Sequence, residues 1–149
     1  VFEKAGLSVD DPVKELGQTV GEALMTPTII YSNLTQKILR HYKVKHVVHG
    51  IGHITGGGLL ENTERILPPN VDLVFERNSW EIPPMFNWVQ QLGQIADEEM
   101  AHIFNMGIGL TLMVNPYYAN TILEIAQSLG LRAWTIGRAQ AGSGKSRWK

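Results

Sequence analysis

The sequence predicts an α/β domain, α+β-like in its uneven spacing, with a mixed β-sheet flanked by helices. Short Val- and Ile-rich runs alternate with segments whose apolar residues return roughly every third or fourth position. Prolines and glycines separate the two kinds of segment. Connection lengths are irregular and no internal repeat is present, which argues against a purely parallel, regularly wound sheet.

Taken in order, Ser8 to Gly21 is polar and turn-rich and reads as a linker or edge segment, with a short helical run through Val13 and Leu16. Pro27 disfavours helix at Thr26, and a helix capped by Thr26 or Thr28 is expected to run to about Tyr42 with Ile30, Leu34 and Ile38 inward and Leu39 as a further candidate for that face. Lys45 to Ile51 reads as a strand buried on both faces. It leads into His53 and three consecutive glycines, Gly56, Gly57 and Gly58, followed by a helix with Leu59, Leu60, Thr63, Ile66 and Leu67 on one face and Pro68 at its end. A strand at Val71 to Phe75 precedes a helix that opens at Pro84, buries Met85, Phe86, Val89 and Leu92, and stops at Gly93. Asp97, Glu98 and Glu99 place negative charge in the first turn of another. A strand through Val114, a helix from Pro116 to Gly130 and a last strand from Arg132 to about Arg138 complete the pattern.

The 149 residues suit a single domain, able to bury roughly two thirds of its unfolded surface. A formal net charge of -1 gives no basic excess for nucleic acid, so no nucleic-acid partner is expected. The absence of cysteine removes disulfides and thiolate chemistry and fits a reducing compartment. No apolar run is long enough to span a membrane, and the cytoplasm is the expected location. Because the chain begins at Val1 in the middle of a short amphipathic pattern, it reads as a piece of something longer.

The order strand, glycine loop, helix suits an anion. Glycine admits positive φ and close approach, and the first amides of the helix have no intrahelical partner. The plainer reading is a tight turn that allows helix and strand to pack closely, and the loop alone does not decide between them. His53, at the end of the strand, is placed to donate to a phosphate or carboxamide oxygen. His49 and His53 lie too far apart on one strand face for a single small ion, and no metal site is expected. Glu61 and Arg65 have the spacing of a surface ion pair. The tail Ala139 to Ser146 imitates a phosphate loop, but only Arg147, Trp148 and Lys149 follow, so it cannot open a helix; a solvated end or edge strand is expected.

Four motifs together resemble one family. They are T-P-T-x-I-Y at Thr26 to Tyr31, H-I-T-G-G-G-L-x-E-N from His53 with Arg65 and Pro68, W-x-x-P-P-x-F-x-W at Trp80 to Trp88, and F-N-M-G-I-G at Phe104 to Gly109. In this order they resemble the C-terminal domain of aminoimidazole ribonucleotide synthetase, the phosphoribosylformylglycinamidine cyclo-ligase of purine biosynthesis. The resemblance implies a homodimeric ligase that uses ATP and Mg²⁺, held mainly by an N-terminal domain absent from this chain, to cyclise formylglycinamidine ribonucleotide. It implies Thr55, Gly56, Gly57 and Gly58 on the substrate 5′-phosphate and His53 as the catalytic candidate, with Asn105 and Thr28 as further substrate contacts. The isolated chain is then expected to be inactive. One departure is Ile29, where the family pattern has a basic residue. A half of formylglycinamidine ribonucleotide synthetase, or a non-catalytic ligand-binding or dimerisation module of the same fold, are the other readings.

Overall fold

The computed structural model describes residues 1–149. After a single 3-10 turn at Glu3–Ala5 comes a hairpin of two short strands, β1 (Pro12–Val13) and β2 (Gln18–Thr19), leading directly into α1 (Val20–Leu24). The junction is a capping box: the Thr19 hydroxyl accepts from the Glu22 amide at 3.2 Å, and the Glu22 carboxylate accepts from the Thr19 amide at 2.8 Å. The stretch expected as a linker or edge segment is an ordered hairpin, with its helix later than Val13.

Helix α2 (Ser32–His41) buries Leu34 and Ile38, as their spacing requires. It starts later than expected. Tyr31 is the N-cap, neither Thr26 nor Thr28 caps the helix, and Ile30 is 81% exposed. Pro27 holds the preceding residue away from helical φ and ψ, and the β-branched pair Ile29–Ile30 does nothing to restart the turn. The chain continues through β3 (Val48–His53), α3 (Gly58–Glu64), β4 (Val71–Phe75), α4 (Pro84–Gly93), α5 (Asp97–Ile103), β5 (Leu110–Val114), a 3-10 turn at Pro116–Tyr118, α6 (Ala119–Gln127), β6 (Gly137–Ala141) and β7 (Ser146–Trp148). Helix α4 begins at Pro84 as expected, but the left-handed residue that ends it is Gln94, not Gly93.

The strands form three small sheets instead of one. β1 pairs with β2, β3 pairs antiparallel with β5, and β4 lies between β6 and β7. The mixed character resides in the last of these, where β6 runs antiparallel and β7 parallel to β4. Helices α2 and α6 cover the β3–β5 ribbon through Leu34, Ile38, Val47, Ile122 and Ala126. A second core joins Ile54, Leu59, Leu73, Phe75 and Ile108, so that α3 packs over β4. The two ends of the β3 segment thus belong to different cores, which fixes where the glycine loop emerges.

Two strand expectations fail. β3 is not buried on both faces: His49, Ile51 and His53 are exposed, because a two-stranded ribbon covered by one pair of helices has no second layer. The last expected strand lies later, at Gly137–Ala141, whereas the segment expected as a solvated end or edge strand is the edge strand β7, paired with β4. No helix is long and apolar enough to cross a membrane.

Candidate functional site

The loop Thr55 to Gly58 is organised by a residue that sequence reasoning left without a role. Asn62, buried one turn into α3, donates its side-chain amide to the carbonyls of Thr55 (3.3 Å), Gly56 (3.1 Å) and Gly58 (2.8 Å), and its oxygen accepts from the Thr55 hydroxyl at 3.2 Å. Across a planar trans peptide the carbonyl and the next amide point in opposite directions. Drawing the carbonyls of Thr55 and Gly56 onto Asn62 therefore turns the amides of Gly56 and Gly57 away from the protein. Neither amide donates to any group of the chain, whereas that of Gly58 is paired to the Thr55 carbonyl at 3.1 Å. An asparagine inside a helix, just after a glycine turn, was the available signal, since its amide needs local partners there.

The three glycines do different things. At Gly56 a side chain would meet nothing within 4 Å. Gly57 has φ of 97° and faces the carboxylate of Glu61, which pairs with Arg65. Gly58 has φ of 64°, and any side chain on it would run into the carbonyl of Ala101, where α3 packs on α5. Close packing explains Gly58; it does not explain Gly56.

His53 is exposed at the end of β3, opposite Leu110, with the ring of Tyr31 edge-on at 6.2 Å. Burial pushes the Tyr31 phenol up from its ordinary value. A side chain at Gly109 would overlap the Tyr31 hydroxyl, so that glycine is required by contact. Nearby, Trp80 donates its indole N–H to the Met106 carbonyl at 2.9 Å, and Gly107, at φ of 96°, gives room to the Pro83 ring. The structure therefore brings the T-P-T-x-I-Y, H-I-T-G-G-G and F-N-M-G-I-G motifs together at Tyr31, His53 and Gly109, and docks W-x-x-P-P onto the turn beside them. Asn105 is engaged within that turn, its side-chain oxygen accepting from the Gly107 amide at 2.9 Å. Thr28 is exposed and makes no hydrogen bond to the chain. No group of three or more His, Asp or Glu residues is placed to hold a metal ion.

Two clefts lie away from the loop, one of about 290 Å³ lined by Glu81, Gln127, Arg132 and Trp134 among others, and one of about 220 Å³ beneath the α2–β3 connection.

An α/β domain with a small mixed sheet and a glycine loop at a strand-to-helix junction is the class that this geometry defines. Within that class, the chain belongs to the family described as AIR synthase related protein, C-terminal domain, which matches residues 2–149. Among curated relatives, the chain is similar to phosphoribosylformylglycinamidine cyclo-ligase of Syntrophus aciditrophicus, with 39% identity over 145 residues, 97% of this chain and 41% of that protein. It is 41% identical to the Geobacillus kaustophilus cyclo-ligase over 98% of this chain and 41% of that one. The chloroplastic cyclo-ligase of Arabidopsis thaliana is 38% identical over 98% of this chain and 36% of its own length. The chain thus spans about two fifths of the length of these relatives. The fold is also that of the hydrogenase maturation protein HypE of E. coli, with a TM-score of 0.59, 18% identity, and coverage of 87% of this chain and 41% of that one.

Proposed function

We propose that the chain is the substrate-side domain of an ATP-dependent cyclo-ligase that converts formylglycinamidine ribonucleotide to aminoimidazole ribonucleotide. The observation that carries this reading is the outward pair of unpaired amides at Gly56 and Gly57, set by Asn62 beside the Thr55 hydroxyl. Together the two amides offer two donors to the substrate 5′-phosphate, the Thr55 hydroxyl proton being given to Asn62. Gly58 contributes by packing, which frees the loop to hold its shape without contacting ligand. His53, exposed next to the loop, orients the reacting carboxamide region and is the candidate for proton transfer; Asn105 and Thr28 are secondary contacts.

In this reading, the formyl oxygen is activated by phosphoryl transfer from ATP, an amidine nitrogen closes the ring, and phosphate leaves. The residues present offer no ligand set for Mg²⁺, so ATP and Mg²⁺ are assigned to an N-terminal domain of the same polypeptide and no step is routed through them. The shortness of the chain relative to its relatives supports this assignment, as does the exposed apolar segment with Met25 and Ile30 each 81% exposed, which suits cover by that domain or by a second subunit of a homodimer. On its own the chain is inactive, and the active protein works in the cytoplasm or, as the name of the Arabidopsis relative indicates for that protein, in a plastid.

Gly56→Val in the full-length enzyme is the clean probe. Gly57→Val, the obvious choice from sequence, adds strain at positive φ and a clash with Glu61. A Cβ at Gly56 meets nothing within 4 Å, so valine there should raise KM for formylglycinamidine ribonucleotide about tenfold or more and leave KM for ATP within about twofold. Equal change in both, or no change, would sink the assignment.

A further inference from the structure

The loop between β6 and β7, G-S-G-K-S at Gly142 to Ser146, is the one glycine-rich motif that the proposed function leaves without a role. Its donors converge on a carboxylate of the chain itself. The amides of Ser143 and Lys145 donate to Asp72 Oδ1 at 2.7 and 2.9 Å, and the Arg147 guanidinium donates to Oδ2 at 2.6 Å. Asp72 lies on the central strand β4 and is only 4% exposed, and a side chain on Gly142 would overlap its carboxyl group.

The same loop grips α3. The Ser146 amide donates to Glu64 Oε1 at 2.9 Å, Lys145 Nζ lies 3.5 Å from Glu64 Oε2, and the hydroxyls of Ser146 and Thr63 share a buried hydrogen bond of 2.9 Å. Thr63 directly follows Asn62, the residue that shapes the glycine loop.

We propose that Gly142 to Ser146 is an anion nest whose ligand is the chain's own Asp72 carboxylate, and that the filled nest is a positioning device that holds α3 and, through Asn62, the 55–58 loop. Two converging amides and a guanidinium repel one another unless an anion sits between them. The loop keeps this form, and its grip on α3, while Asp72 is ionised. Consistent with this geometry, the hydrogen bonds from the Lys145 and Ser143 amides, then that from Arg147, lower the Asp72 pKa to about 2. The charged group on Asp72 is Arg147 of β7, while the Lys145 ammonium of the loop is paired to Glu64 on α3.

Hydrogen exchange in the full-length protein tests this without reference to what the 55–58 loop binds, so its failure is distinct from failure of the ligase reading. In Asp72→Ala, the amides of Ser143 and Lys145 and those of Asn62 and Thr63 should exchange about tenfold faster, with α6 unchanged. About 100 mM formate, a carboxylate that fits the space vacated by the side chain, should restore both sets in Asp72→Ala but not in Asp72→Asn, where the side chain still fills the volume. If Asp72→Ala does not fold, Asp72→Asn reads the same amides. Acceleration confined to the 143–147 segment would overturn the positioning role. Acceleration shared equally by α6, or failure of formate to rescue a folded Asp72→Ala, would overturn the nest.

Discussion

The two glycine-rich loops of this chain look alike in sequence and differ in what their amides face. At Thr55 to Gly58 the carbonyls are turned inward onto Asn62, and the amides of Gly56 and Gly57 face outward without a partner. At Gly142 to Ser146 the amides of Ser143 and Lys145 are turned inward onto Asp72. The first is a candidate receptor for an external anion, and the second already holds an internal one. A glycine-rich loop is open to a ligand only if the fold supplies no acceptor of its own.

Substitutions can break or sharpen this contrast. The largest effect is expected from Gly58→Ala, which forces a side chain at positive φ into the Ala101 carbonyl and should destabilise the fold by about 3 kcal/mol; Gly56→Ala, two residues away, should cost less than about 0.5 kcal/mol. Chemical denaturation of both variants checks the pair, and equal costs would remove the distinction between a packing glycine and an open one. Next comes Asn62→Ala, which leaves the loop carbonyls without their buried donor and should cost about 2 kcal/mol, with faster exchange at Gly58.

The second loop predicts an acid limit. Because the folded pKa of Asp72 is lowered to about 2 from an ordinary value of 3.8, its stabilising contribution is fully present above about pH 4 and is lost as pH falls toward 2. Melting curves should therefore show the wild type losing stability relative to Asp72→Asn across that window, and parallel curves would contradict the nest. The smallest effect belongs to the exposed Glu61–Arg65 pair, where Arg65→Ala should change stability by only about 0.3 kcal/mol in a thermal melt.

Much of this fold was legible because local punctuation and burial agree. Pro84 opens α4, Gly130 at φ of 73° follows α6, and the Val71–Phe75 run becomes the central strand β4. What was not legible depends on distant partners. β6 and β7 are rich in Gly, Ala and charge and show no apolar alternation, so only their register with β4 makes them strands. β3 shows the reverse: its Val and Ile content suggested two covered faces, but with β5 as its only partner it leaves His49, Ile51 and His53 exposed. The capping box at Thr19 and Glu22 was present in the sequence as T-x-x-E and marks the start of α1. For the candidate site, His53 and the glycines could be located from sequence, but which amides remain unpaired depends on Asn62 and on the contact between Gly58 and Ala101.

The most direct measurement follows the backbone amide resonances of Gly56 and Gly57 in the full-length protein during titration with formylglycinamidine ribonucleotide and, separately, with its dephosphorylated nucleoside. The account predicts that both amides shift downfield with the phosphorylated compound and not with the nucleoside, while the amides of Ser143 and Lys145, already bonded to Asp72, stay in place. Equal shifts with the nucleoside, or shifts at Ser143 and Lys145 instead of Gly56 and Gly57, would contradict it.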